Sequence, residues 1–381
     1  MLIREIEIQN FKCIKSLHET DLTPIVGIWG KNGTGKSTIL QALVVLKNAA
    51  QGGNLLNSNG ISLGNLTNVI YMHDLTLTCN LRLKLEDGKE MAIALGASST
   101  TLSRYKIPPD KLRYFPPWRR VASRSSSVSS LVMHDFGIQG STLHNFIHWF
   151  SHRKLLEKDR TGKPNERDKI NEWARKLGYG EIFDKQIADN QVMATYIDPV
   201  FGLEVPVVDG GYGGNAFLPI LFEAYSFTNG VLLIEEPEIS LHPGAQSDIL
   251  DFFIEMANER KHQIIFTSHS EYLLKKIARY TMEGKIDDSL VTVFVADKNK
   301  STGTTLERKD LKVLADLLSK NREILPRTDD EMTTNTIQLL HKPPEDFVRM
   351  PLSNPNSKSE AIMQSSLKPY LASIFIPVLV S

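Results

Sequence analysis

The feature that most constrains this chain is a glycine-rich segment at residues 30–37. It reads Gly-Lys-Asn-Gly-Thr-Gly-Lys-Ser and fits the pattern G-x-x-x-x-G-K-[ST] in full. An apolar run at residues 25–29 precedes it, and a helical pattern with a broad apolar face follows at about residues 36–50. Glycines allow successive backbone N–H groups to point at phosphate oxygens, and the start of a helix adds partial positive charge. The segment therefore predicts a strand, loop and helix that bind the phosphates of a nucleotide.

Two residues of this phosphate loop have distinct expected roles. We expect Lys36 to reach the β- and γ-phosphates and the Ser37 hydroxyl to ligate Mg²⁺. The pattern predicts nucleotide binding, whereas hydrolysis needs further groups. The other residues expected to contact the nucleotide are Gly30, Asn32, Gly33, Thr34, Gly35 and Thr38.

Carboxylates directly follow a second apolar run, Val-Leu-Leu-Ile at residues 231–234. A strand that ends in acids places them at the carboxyl edge of a parallel sheet, where ligands bind in open α/β folds. Glu235 and Glu236 would repel each other without a nearby cation, which indicates a metal. We expect Glu235 to hold Mg²⁺ through water and Glu236 to polarise the attacking water. We expect Glu238 to have a structural role in the turn at residues 241–243.

A histidine follows the next apolar run, at residues 263–267. Most histidines at strand ends are structural, but this one would emerge beside the acidic pair. His269 could there contact the γ-phosphate or the attacking water. With a further strand near residues 290–296, the alternation of strands and helices predicts a parallel sheet with crossover helices.

The order of these motifs resembles that in the ABC-type ATPase heads of the SMC, RecF and OLD (overcoming lysogenization defect) group. The resemblance covers roughly residues 1–300 and includes Leu-His-Pro at residues 241–243 and Asn-Phe-Lys at residues 10–12. It is closest to stand-alone bacterial ATPases of the anti-phage defence type, without a nuclease module. It implies that the protein hydrolyses ATP with Mg²⁺ as cofactor. It also implies that Lys36, Glu236 and His269 are catalytic residues and that Lys12 lies near the nucleotide.

The resemblance also implies a signature motif that binds the nucleotide held by an opposite subunit. Residues 209–219 resemble the degenerate Gly-x-Gly-x-x-x-x-Leu-Pro form of the OLD-like group, with Asn215 near a position where serine is common. Gly213, Gly214 and Asn215 are thus candidate nucleotide contacts, and His242 would lie near the dimer seam. The implied assembly is a homodimer or higher homo-oligomer around ATP that signals to a separate effector protein.

The predicted fold class is therefore α/β, a P-loop NTPase with the mixed sheet of an ABC-ATPase head, an N-terminal β-rich lobe and a helical insertion. Residues 1–100 would form the first half of the head, with the phosphate loop and a β-meander. Residues 101–205 would form an insertion that is helical at 142–186. Residues 206–325 would complete the head, and the proline-rich residues 326–381 are a candidate docking segment.

The charge balance argues against a broadly basic nucleic-acid binder, because 44 Lys and Arg residues match 44 Asp and Glu residues. Residues 106–124 nevertheless interleave basic and aromatic side chains, a pattern that can grip phosphates and stack on bases. The alternative is a proline-rich loop whose aromatic side chains pack onto the head. Nucleic acid thus stays a candidate partner. The basic residues are Lys106, Lys111, Arg113, Arg119, Arg120 and Arg124, and the aromatic ones are Tyr114, Phe115 and Trp118.

Two cysteines and the lack of a long apolar run favour a cytoplasmic protein without a membrane span.

Two other functions are compatible with the same motifs. One is a DNA repair or maintenance ATPase that acts directly on DNA, and the other is an assembly scaffold that binds ATP without hydrolysing it. Gln139 does not have the spacing that would identify it as a glutamine-loop residue.

Overall fold

The structure, a computed structural model, describes residues 1–119, 125–127, 166–189 and 191–320. Every described residue belongs to one compact unit that lies within Met1–Ile337. The predictions for the tail at 326–381, for Gln139 and for the helical region up to residue 165 lie outside the described residues. Within the described ranges, no helix is long and apolar enough to cross a membrane.

Strands and helices alternate along the second half of the described chain. The strands are β1 (Ile3–Phe11), β2 (Ile14–Glu19), β3 (Ile25–Gly30), β4 (Cys79–Leu85), β5 (Glu90–Leu95), β6 (Thr100–Leu102), β7 (Leu112–Phe115), β8 (Ser126–Ser127), β9 (Ile182–Ala188), β10 (Gln191–Ile197), β11 (Glu204–Pro206), β12 (Val231–Glu235), β13 (Gln263–Ser268), β14 (Val291–Asn299) and β15 (Gly303–Lys309). The helices are α1 (Lys36–Gln51), α2 (Leu66–Val69), α3 (Glu166–Lys176), α4 (Tyr212–Ser226), α5 (Pro243–Glu259), α6 (Glu271–Met282) and α7 (Leu311–Lys320). The predicted helix after the phosphate loop is confirmed as α1. The predicted strands before the acidic motif and before the histidine motif are confirmed as β12 and β13.

The main sheet has eleven strands in the order β6-β5-β4-β1-β2-β15-β14-β3-β13-β12-β7. Its β14-β3-β13-β12-β7 half is parallel, and the other half is an antiparallel lobe. The predicted α/β fold with a mixed sheet is thus confirmed. Residues 112–115, which the sequence assigned to the insertion, form β7 at the edge of the parallel half, with Leu112 opposite Val231.

Helices cover both faces of the parallel half. Ile265 of β13 lies in the core cluster that α1 builds with the antiparallel lobe, whereas its neighbour Phe266 packs against Phe253 of α5, with ring centroids 5.1 Å apart. Successive side chains of a strand point to opposite faces, so a strand covered on both faces must be apolar throughout. This explains why β3, β12 and β13 are buried along their whole length. Their carboxyl ends meet at one edge, which carries the phosphate loop and both acidic and histidine motifs.

A smaller sheet has the order β11-β10-β8, with β9 also paired to β10. The prediction that residues 142–186 are helical is wrong for residues 182–186, which belong to β9. Helix α3 ends before them because Gly178 adopts a left-handed conformation, with a φ of 87°, at which the chain turns back. Ile170 and Trp173 lie on the buried side of this helix.

Candidate active site

The phosphate loop connects β3 to α1 through glycines in conformations that other residues rarely adopt. Gly30, Gly33 and Gly35 have φ values of 152°, 77° and 96°. A Cβ atom on Gly35 would lie 2.3 Å from Thr304 Oγ1, so only glycine fits where the loop passes β15. No side chain caps the start of α1. Its first backbone N–H groups are therefore available to an anion, as a phosphate site requires.

Lys36 lies folded over its own loop. Its ammonium group donates hydrogen bonds to the carbonyl oxygens of Gly30, at 2.8 Å, and Lys31, at 2.9 Å. Burial lowers the pKa of Lys36 to about 8, against the opposing effect of the nearby carboxylates, of which Glu236 has the largest. The lysine thus carries a partly desolvated positive charge at the mouth of the loop, where an anionic phosphate would interact with it strongly.

Glu235 ends β12 as a buried carboxylate beside the phosphate loop. The hydroxyls of Ser37 and Tyr114 both hydrogen-bond to it, the Tyr114 bond at 2.5 Å. Burial raises the pKa of Glu235, and these hydrogen bonds oppose the rise. Magnesium at phosphate sites takes one or two protein oxygens and fills its octahedron with substrate phosphates and water. The adjacent hydroxyl and carboxylate oxygens of Ser37 and Glu235 fit that donor set, and their role as magnesium ligands stays a prediction.

Glu236 and His269 face each other across the ends of neighbouring strands. His269 Nε2 lies 3.9 Å from Glu236 Oε1, and about a third of each side chain is exposed. Burial, together with the charge of Lys36, lowers the pKa of His269, which favours the neutral imidazole at neutral pH. Glu236 has a left-handed backbone, with a φ of 45°, which costs energy in a residue other than glycine. The predicted water-orienting pair is thus brought together at the open side of the site, although the roles themselves stay predictions.

Glu238 bonds the turn at residues 241–243 through its backbone carbonyl, which accepts from the Leu241 N–H at 3.0 Å, while its side chain holds the histidine turn. Its Oε1 atom accepts hydrogen bonds from the Ser268 hydroxyl at 2.8 Å, the His269 N–H at 2.7 Å and the Ser270 N–H at 3.1 Å. The carboxylate is buried, and burial raises its pKa. The turn after β12 and the turn after β13 are therefore joined, so the positions of Glu236 and His269 depend on each other.

This junction gives a testable result. We expect Glu238→Ala to lower the free energy of unfolding by about 3 kcal/mol, because the Ser268 hydroxyl and the His269 N–H lose their acceptor and the Ser270 N–H keeps only its bond to the Ser268 hydroxyl oxygen. Turnover of a nucleotide should fall about tenfold as His269 loses its fixed position. Glu238→Gln keeps an oxygen acceptor and should retain most of both properties. Chemical denaturation and a phosphate-release assay measure the two effects, and an alanine variant that matches the glutamine variant in both would contradict this role.

Lys12 lies close to the site, and its approach to the nucleotide stays a prediction. Its ammonium group donates to Gln41 Oε1 at 2.8 Å, and the Gln41 side chain also hydrogen-bonds to Tyr114. A chain of polar contacts therefore runs from Lys12 through Gln41 and Tyr114 to Glu235. Sequence reasoning missed Gln41 and Tyr114. The signal for Tyr114 was the short strand-like segment at 112–115, Leu-Arg-Tyr-Phe, which the surrounding prolines obscured.

The signature segment packs tightly against its own chain. A Cβ atom on Gly213 would lie 2.2 Å from the Ser240 carbonyl oxygen, and one on Gly214 would lie 2.3 Å from the Tyr179 ring. Asn215 is buried, and its amide donates to the carbonyl oxygens of the turn that precedes α4, at 3.2 and 3.4 Å. The exposed residues of the segment are Asp209, Gly211 and Tyr212, which lie at or just before the start of α4, and Tyr212 is 45% exposed. Any contact of this segment with a second nucleotide would therefore use the N-terminus of α4.

His242 also lies where its motif predicted a turn. It caps α5, since its Nδ1 atom accepts a hydrogen bond from the Gly244 N–H at 3.3 Å, and it is exposed. A place at the dimer seam stays a prediction for this residue.

Four of the nine basic and aromatic residues interleaved at 106–124 are buried in the fold, whereas Trp118 is 59% exposed. Arg119 is 1% exposed, and Arg113 is buried in an ion pair with Glu223 of α4. Tyr114 and Phe115 are buried in β7, so the alternative, packing onto the head, applies to them. The arginines are buried because β7 runs between β12 and α4, which a local pattern of charges does not reveal. Arg120 and Arg124 lie outside the described residues.

The model of the AAA ATPase domain family matches residues 1–93 and 138–274 of this chain, which is more than half of it. The chain therefore belongs to the AAA ATPase domain family. No curated protein matches it in sequence.

Solved structures of SMC heads have a similar fold. An SMC head bound to the C-terminal winged-helix domain of ScpA matches with a TM-score of 0.53 and 13% identity, over 82% of this chain and 99% of that one. An SMC head with an extended coiled coil, bound to the C-terminal domain of ScpA from Pyrococcus furiosus, matches with a TM-score of 0.51 and 13% identity, over 84% and 99%. At this identity the likeness shows the fold alone, which is that of an SMC-type ATPase head.

Proposed function

We propose that this chain hydrolyses ATP with Mg²⁺ in a homodimer that closes around two nucleotides, and that the closed state signals to a separate effector protein. The observation that carries the proposal is the meeting of Lys36 and Ser37 with Glu235, Glu236 and His269 at one edge of the sheet. A phosphate-binding loop alone supports binding. Carboxylates and an imidazole beside it supply the groups that hydrolysis needs.

Each side chain has a part in this reaction that follows from its surroundings. Lys36 exchanges its two carbonyl contacts for phosphate oxygens and neutralises charge on the β- and γ-phosphates. Ser37 and Glu235 hold Mg²⁺, which when bound stabilises the charge that develops on the phosphate oxygens. Glu236 accepts a hydrogen bond from the water and takes its proton as the water oxygen bonds to the γ-phosphorus. The bond to the β,γ-bridging oxygen breaks, and ADP and phosphate leave.

His269 acts on the γ-phosphate in this account. Because its pKa is lowered, the imidazole is neutral and donates an N–H to a γ-phosphate oxygen. It adds no positive charge that would compete with Lys36 for the Glu236 carboxylate. Glu238 fixes the backbone on both sides of that ring. The imidazole thus reports to the turn after β13 whether a γ-phosphate is present.

The proposed dimer and its signal to an effector protein have separate support. The open N-terminus of α4, next to the exposed Tyr212, supports a contact with the nucleotide of a second copy. A role in anti-phage defence, through a separate effector, rests on the resemblance of the motif order to stand-alone ATPases of that type.

The basic test of the proposal is phosphate release from ATP by the purified chain, with Mg²⁺ and after addition of EDTA. We expect release with Mg²⁺ and a loss of at least about 100-fold with EDTA, since Lys36 alone cannot neutralise the charge of the phosphates beside the carboxylates. Ser37→Ala should lower the rate at limiting Mg²⁺ more than at saturating Mg²⁺. Tight ATP binding without release in any condition would favour the non-hydrolysing scaffold instead.

A further inference from the structure

A single buried arginine joins the catalytic turn to the signature helix. Arg119 lies just after β7, and its hydrogen bonds to the described residues all go to main-chain carbonyl oxygens: Glu235 at 2.5 Å, Glu236 at 2.8 Å, Pro116 at 3.0 Å and Ala216 at 3.0 Å. Glu235 and Glu236 begin the catalytic turn, whereas Ala216 lies in the second turn of α4. One rigid side chain therefore contacts both elements.

The chemistry of this contact differs from that of an ordinary ion pair. Arginine is costly to bury unless partners satisfy its donors. Here the acceptors are main-chain carbonyls, so the bonds fix the position of the backbone and leave the Glu235 and Glu236 carboxylates free for other partners. The guanidinium is a planar fork with donors at fixed angles, which lysine cannot reproduce. Arg119 can keep all four bonds only while the catalytic turn and α4 hold one relative position.

The backbone that Arg119 holds is also the strained one. Glu236 has a φ of 45°, and such residues persist only where the surroundings fix them. Its N–H donates to the Thr267 carbonyl oxygen at 2.9 Å, and its own carbonyl accepts from Arg119. The same carbonyl also accepts from the Ile239 N–H at 3.1 Å. Arg119 thus supplies one of three hydrogen bonds that keep the Glu236 backbone in this conformation, and it is the one that comes from a side chain.

We propose that Arg119 is a positioning residue that couples the direction of Glu236 to the position of the signature helix α4, so that each catalytic site senses the engagement of the same subunit's signature segment with the partner's nucleotide. This inference rests on the proposed function and adds the path of communication. Closing of α4 onto a second nucleotide moves the Ala216 carbonyl, and the guanidinium transmits that movement to the Glu235 and Glu236 carbonyls. Water is then oriented only in a fully assembled dimer.

The test compares Arg119→Lys with Arg113→Lys in the full chain. Arg113 is a matched control because it is also a buried arginine near β7 and α4, yet its ion pair with Glu223 does not involve the catalytic turn. We expect both variants to lose thermal stability. Only Arg119→Lys should lower kcat, on the order of 30-fold, with KM for ATP changed less than about threefold. Equal kcat values for the two variants, or a higher KM with an unchanged kcat, would overturn the proposal.

Hydrogen exchange of the wild-type chain provides a second test, which needs no variant and is therefore unaffected if a variant fails to fold. The sample contains MgADP at a protein concentration at which the chain is monomeric, so that no partner touches α4. Compared with the same sample without nucleotide, coupling predicts slower exchange at residues 236–241 and also at residues 212–217. Exchange in α7 should not change. Protection that stops short of residues 212–217 would overturn the proposal. Lack of phosphate release by the wild type would instead contradict the proposed function, which keeps the two failures distinct.

Discussion

Replacing Glu236 with glutamine should lower ATP turnover by about 100- to 1,000-fold while ATP affinity changes less than about threefold. The amide keeps the size of the side chain but cannot take a proton from water. Glu236 lies beside the site, 3.9 Å from His269, with about a third of its side chain exposed, so that it contributes little to packing. Its loss should therefore affect the chemical step rather than the fold or the binding of nucleotide.

Single-turnover phosphate release and equilibrium binding of a fluorescent ATP analogue separate these two effects. Glu283→Gln is a suitable control, because this exposed carboxylate pairs with Lys285 at the surface, away from the sheet edge. It should have the turnover of the wild type. A Glu236→Gln variant with an unchanged kcat would assign the proton transfer to another group.

Replacing Lys36 with methionine should weaken ATP binding by about 100-fold, which corresponds to about 3 kcal/mol. The reason is electrostatic. The ammonium group is desolvated and is held at the loop only by two carbonyl oxygens, so a phosphate gains a strong charge-assisted contact that methionine cannot make. Isothermal titration with ATP and Mg²⁺ measures the change.

The loop contains its own control for this experiment. Lys31 lies in the same turn with an exposed side chain, and the Lys36 bond involves only its backbone carbonyl. Lys31→Met removes the same formal charge and should change the affinity less than about threefold at 0.15 M salt. If the two methionine variants weakened binding equally, general attraction by the loop would explain the affinity, and the specific role of Lys36 would be wrong.

Much of the site could be predicted from sequence because its main elements are local. The phosphate loop, the acidic turn and the histidine turn each follow an apolar strand directly, and parallel strands bring their carboxyl ends together. The contacts between these motifs were not predictable in the same way. Tyr114 and Glu235 are 121 residues apart in sequence, and their hydrogen bond depends on the pairing of β7 with β12.

Arg119 is the residue whose surroundings could least be predicted from the sequence. A basic residue among prolines and aromatics is usually exposed, and the local pattern was compatible with nucleic-acid binding. In the fold, the main-chain carbonyls of Glu235, Glu236 and Ala216 satisfy its donors. Backbone acceptors leave no trace in the residue types around them, so only the structure reveals them. Asn215 is similar, since its partners are carbonyl oxygens of the preceding turn.

The mass of the Glu236→Gln variant in solution, measured by light scattering with MgATP, with MgADP and without nucleotide, tests the central claim most directly. If ATP closes a dimer and hydrolysis opens it, the variant should have about twice the 42.8 kDa chain mass with MgATP and a smaller mass in the other two conditions. Wild type with MgATP should return to the smaller mass as ATP is consumed. The same mass in all three conditions would contradict an ATP-driven dimer switch.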